Sequence, residues 1–85
     1  MKLCHFEAGI DQPLFLIAGP CTAESLDLCL EVAGQMHDIC SRLGLPYIFK
    51  ASYDKANRSS GRSPRGPGLD AGLQILAEVR RQIGV

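Results

Sequence analysis

Eighty-five residues, 46% of them hydrophobic and 21% charged, make a chain below the usual size of one domain and too apolar to be disordered. Nine Lys and Arg balance nine Asp and Glu, so net charge gives no case for nucleic acid or an anionic membrane as partner. The longest apolar run, near Leu14 to Ala18, is far short of the roughly 20 residues that a membrane span needs.

Residues 1 to 11 carry no assignable pattern and are expected to be a leader segment. The run Leu14-Phe15-Leu16-Ile17-Ala18, ended by Gly19-Pro20, is that of a strand buried on both faces, placed at 14–18. Ser25 then stands at an N-cap position, Asp27 falls in the first turn, and Cys29, Val32, Ala33, Met36, Ile39, Cys40 and Leu43 recur with helical spacing before Gly44. This places a helix at 26–43. Pro46 introduces a second strand at 47–51, and Leu69, Leu73, Leu76, Val79 and Ile83 line one face of a second helix at 69–83, stopped by Gly84. Val85 would begin a third strand.

Two strand-then-helix units in succession predict parallel strands joined by right-handed crossovers, hence an α/β fold. Two strands cannot close a barrel, so residues 1–85 are expected to be a single incomplete domain. They would form the N-terminal two βα units of a (β/α)8 TIM barrel, a quarter to a third of about 250 residues.

Charge is unevenly placed. Lys50, Lys55, Arg58, Arg62 and Arg65 face one acidic residue, Asp54, within 50–65, a local charge of +4 (5 − 1). Residues Ser52 to Gly68, SYDKANRSSGRSPRGPG, show neither helical nor alternating apolar pattern over 17 residues, longer than structureless loops usually run without a function. The segment follows the C-terminal end of a strand, the end at which α/β barrels build their active sites. Its lysines, arginines, Asn57, Ser59 and Ser60 suit a phosphate or carboxylate, and its glycines permit close backbone approach. The plain alternative is a solvated basic loop. An RNA-binding reading finds only Tyr53 for base stacking and no surrounding nucleic-acid module.

Cys21, just past the first strand and at the same end, is a candidate metal ligand or nucleophile, against the simpler reading of a small hydrophobe. Cys29 and Cys40 fall on the apolar helix face and read as core. His37 and Cys40, three apart, offer only two donors for a metal. The cysteine spacings, 17, 8 and 11, match no zinc module, and the chain opens with no long apolar signal segment, so a cytoplasmic protein is expected.

The run FKASYDKANRSS (Phe49 to Ser60), followed by RGPGL (Arg65 to Leu69), closely resembles the signature of the 3-deoxy-D-manno-octulosonate 8-phosphate synthases, also called 2-dehydro-3-deoxyphosphooctonate aldolases. FLIAGPCTAES (Phe15 to Ser25) resembles the first strand and turn of that family, and the likeness covers the chain from about residue 13 onward. The GPC block is shared with the related 3-deoxy-arabino-heptulosonate 7-phosphate synthases, which usually lack KANRSS.

The resemblance implies a TIM barrel that condenses phosphoenolpyruvate with arabinose 5-phosphate and water in lipopolysaccharide biosynthesis, releasing phosphate. It implies that Lys50, Ser52 and Lys55 hold phosphoenolpyruvate and that Asn57, Arg58 and Ser59 hold arabinose 5-phosphate. It places Cys21 in the metal-dependent branch, as ligand to a divalent zinc, iron or manganese whose other ligands lie outside these 85 residues. It further implies a cytoplasmic homo-oligomer, a tetramer in the family, with small phosphorylated partners and neither nucleic acid nor membrane. The 85 residues alone are expected to be inactive. The alternatives are the heptulosonate synthase and a non-catalytic phosphate-binding module.

Overall fold

The computed structural model describes residues 1–54 and 66–85. Its elements are β1 (Lys2–Leu3), β2 (Phe6–Glu7), β3 (Leu16–Ala18), α1 (Leu26–Leu43), β4 (Tyr47–Phe49) and α2 (Leu69–Ile83). The fold is α/β: β3 and β4 pair in parallel, Leu16 opposite Tyr47 and Ala18 opposite Phe49, with α1 as the crossover.

Local chemistry sets the ends of α1. The Ser25 hydroxyl accepts a hydrogen bond from the Leu28 amide at 3.1 Å, and Ser25 itself is extended (φ −150°, ψ 156°), the usual state of an N-cap. At the other end Gly44 adopts a left-handed conformation (φ 71°), and the Leu45 amide reaches back to the Cys40 carbonyl at 2.9 Å, satisfying an otherwise orphaned acceptor. Gly84 ends α2 in the same way, its amide 3.0 Å from the Arg80 carbonyl.

The core lies between the two helices and one face of the parallel pair. Ala23, Cys29, Ala33 and Val79 are buried, with Leu30, Phe49, Ala51, Ile75, Ile83 and Val85 packed around them. Small side chains on α1 let α2 approach closely, and the fully buried Val79 contributes roughly 1.5–3 kcal/mol of apolar burial.

Within these 85 residues the helices cover one face of the first strand, and Ile17 is 53% exposed and Leu14 81% exposed. The strands are also shorter than 14–18 and 47–51. Pairing starts where the Leu16 amide meets the Pro46 carbonyl at 2.9 Å, and it breaks after Ala18 at Gly19-Pro20, where proline has no amide to give. Val85, the last residue, packs on the core. The segment before the first strand is a small antiparallel hairpin of β1 and β2, closed by reciprocal bonds between Met1 and Ala8 and turned through Cys4 at φ 54°. Phe6 touches Phe15, ring centroids 5.2 Å apart, and ties the hairpin to the start of β3.

Candidate functional site

Beyond the strands proper the segments that follow β3 and β4 stay side by side. The Lys50 amide donates to the Ala18 carbonyl at 3.1 Å, the Ser52 amide to the Cys21 carbonyl at 3.3 Å, and the Ala23 amide to the Ser52 carbonyl at 2.9 Å. Thr22 and Ser52 form an isolated parallel bridge. The two turns after β3 and β4 are therefore one continuous ribbon, and it brings Cys21, Lys50 and Ser52 to a single end of the sheet.

Glycine makes this approach possible. A Cβ at Gly19 would overlap the Lys50 carbonyl oxygen and stand 2.9 Å from its carbon, so only hydrogen fits between the turn and Lys50. Lys50 and Cys21 are exposed and Ser52 is half-buried, which puts an ammonium, a thiol and a hydroxyl at the same edge. An ammonium and a neutral donor next to one another can bind a carboxylate or phosphate.

The chain leaving 55–65 returns to this edge. The Gly68 amide donates to the Tyr53 carbonyl at 2.9 Å, and α2 starts directly after Gly68. Lys55, Asn57, Arg58 and Ser59 lie outside the described residues; their neighbours on both sides, Asp54 and Gly66, are at the same end of the sheet as Cys21.

As a metal site the described residues fall short. Among them no group of three His, Cys, Asp or Glu side chains comes together, so Cys21 would bring one donor of the usual four. His37 and Cys40 are likewise not part of such a group; they line a cleft of about 150 Å³ at the opposite end of the sheet with His5 and Tyr47. Cys29 and Cys40 are buried, as core residues are. Burial pushes the Cys29 thiol pKa up, which keeps it protonated and unreactive. A larger cleft, about 650 Å³, runs beside β4 between Phe49, Leu76 and Val79. Arg80 and His5 also line it.

Among the described residues the Tyr47 phenol is the group moved furthest from its ordinary range. Burial, followed by the nearby Cys40, raises its pKa to about 12, while its hydroxyl donates to the Ala18 carbonyl at 2.8 Å. That bond ties the last residue of β3 to the first of β4, directly below the candidate site. Nothing in the local sequence signals it, since the two residues are 29 apart. No helix among the described residues is long and apolar enough to cross a membrane.

A family model described as the DAHP synthetase I family matches residues 3–85. The 2-dehydro-3-deoxyphosphooctonate aldolase of Dechloromonas aromatica is 74% identical over 85 residues, covering all of this chain and 31% of that protein. The proteins of the same name from Thiobacillus denitrificans and Stenotrophomonas maltophilia are 62% and 61% identical, again over the whole chain, which covers 30% and 31% of them. The chain thus spans under a third of the length of these curated relatives.

Proposed function

The chain belongs to the DAHP synthetase I family, and on that premise we propose that it is the N-terminal part of a 3-deoxy-D-manno-octulosonate 8-phosphate synthase. Its α/β elements would be the first two βα units of a (β/α)8 barrel. The reaction joins C3 of phosphoenolpyruvate to the aldehyde carbon of arabinose 5-phosphate; water adds at C2, and phosphate leaves.

The observation that carries this reading is the ribbon that aligns Lys50 and Ser52 with Cys21 at one strand end, in a chain 74% identical to a relative of that name. Lys50, Ser52 and Lys55 would bind the carboxylate and phosphate of phosphoenolpyruvate, their donors meeting negative charge as it moves to the departing phosphate. Asn57, Arg58 and Ser59 would bind arabinose 5-phosphate, with the Arg58 fork on its phosphate.

Cys21 would supply a thiolate to a divalent zinc, iron or manganese, with the other ligands from residues beyond 85. Such an ion, when bound, polarises a carbonyl or activates water. The 85 residues alone would then lack activity. The intact protein would be a cytoplasmic homotetramer in lipopolysaccharide biosynthesis, handling small phosphorylated molecules and neither nucleic acid nor membrane.

The test is phosphate release from phosphoenolpyruvate by the intact protein, with arabinose 5-phosphate or erythrose 4-phosphate, before and after chelation. Turnover with arabinose 5-phosphate that the chelator abolishes and added metal restores is expected. Turnover with erythrose 4-phosphate alone would make the protein a heptulosonate synthase. Release with neither sugar would leave a phosphate-binding module.

A further inference from the structure

Gly72 sits inside α2, where glycine is the poorest helix former except proline, so its place there calls for a packing reason. The reason is Tyr53. A Cβ at Gly72 would lie 2.5 Å from the Tyr53 Cβ and 3.5 Å from its Cα. Two further glycines engage the same residue. Gly66, at φ +117°, places a would-be Cβ 2.6 Å from the Tyr53 carbonyl oxygen and 2.8 Å from the Thr22 Cγ2. Gly68 donates its amide to that same Tyr53 carbonyl at 2.9 Å. Gly34, inside α1, is different: a Cβ there would meet only the Ile83 Cδ1, at 3.8 Å.

Tyr53 directly follows Ser52, whose amide and carbonyl both bond to the turn that carries Cys21. We propose that Tyr53 is a positioning residue: seated by Gly66, Gly68 and Gly72, its backbone and Cβ clamp the start of α2 to the ribbon and hold Ser52 and Lys50 in register with Cys21. The inference rests on the reading of this ribbon as the phosphoenolpyruvate site. Tyr53 touches no reacting atom in this account and acts through Ser52.

The intact protein should be compared with its Gly72→Ala, Tyr53→Gly, double Gly72→Ala/Tyr53→Gly and Gly34→Ala variants. Misplacing binding groups by a fraction of an ångström is expected to raise the KM for phosphoenolpyruvate about tenfold in Gly72→Ala, with a smaller change in kcat. Tyr53→Gly should raise it about threefold. The double variant should be no worse than Tyr53→Gly, because the opposed Cβ atoms are no longer both present. Gly34→Ala should keep the parental KM.

Amide hydrogen exchange reads the clamp without any turnover. Exchange at Ser52 and Ala23, whose amides close the ribbon, should quicken about tenfold in Gly72→Ala. A lower Tm with parental KM and parental exchange at these two amides would overturn the inference, as would additive losses in the double variant. If Gly72→Ala does not fold, Tyr53→Gly carries the same decision. Phosphate release by the parent protein with neither sugar would sink the functional reading alone, and the exchange rates would still decide on the clamp.

Discussion

Gly19 faces the backbone of Lys50 so closely that a Cβ on it would stand 2.9 Å from the Lys50 carbonyl carbon and 3.2 Å from its nitrogen. The turn after β3 is thereby fitted to the residue proposed to neutralise phosphoenolpyruvate. Gly19→Ala must push the two apart, an overpacking that costs about 1–3 kcal/mol and shifts Lys50. We expect kcat/KM for phosphate release to fall at least about tenfold in the intact protein. Parental kinetics would show that Lys50 does not depend on this approach.

Cys21 is exposed on the adjoining turn and is the described residue suited to a soft or borderline metal at that edge. Replacing it with Asn exchanges a thiolate for a neutral amide. Metal affinity of the intact protein should drop by roughly an order of magnitude or more, read as metal retained after dialysis against graded chelator. Undiminished retention would remove Cys21 from the ligand set.

The helices offer two opposed substitutions. Ser25→Ala deletes the acceptor of the Leu28 amide and should destabilise the protein by about 1 kcal/mol in denaturant unfolding. Gly34→Ala, whose methyl group would make an ordinary contact with the Ile83 Cδ1 at 3.8 Å, should stabilise by about 0.5–1 kcal/mol. The same signs for both would contradict the local accounts given for α1.

Tyr47 sets an alkaline limit. Its pKa is raised from about 10 to about 12, so the folded state holds the phenolic proton more tightly than the unfolded chain does. The stability linked to it is fully present below pH 10 and is lost as pH rises through about 12. Unfolding midpoints taken across that range should fall less steeply in Tyr47→Phe than in the parent protein. Equal slopes would mean that other groups govern alkaline unfolding.

Features encoded within one turn of chain were the legible ones. Ser25 and Gly44 mark the ends of α1 because capping joins residues three to five apart, and Gly84 marks the end of α2 for the same reason. The hairpin of Lys2–Leu3 and Phe6–Glu7 has no local signature because its turn uses Cys4 at positive φ in place of glycine or asparagine. The run from Leu14 to Ala18 could not tell a strand covered on one face from a strand covered on both; the exposure of Ile17 depends on where the helices pack. Within the candidate site, the place of Cys21 and Lys50 after their strands followed from element order. The meeting of Gly72 with Tyr53, 19 residues apart (72 − 53), is a tertiary contact that no local pattern announces.

Because Tyr53 is fastened to Gly66 and Gly68, the segment between leaves and rejoins the scaffold at nearly one point. Such a layout behaves as a cassette. Substitutions or insertions between the two anchors would leave Tyr53, Gly66 and Gly68 those of the original framework. Changes between these anchors can thus accumulate with little cost to the helices and strands beneath them.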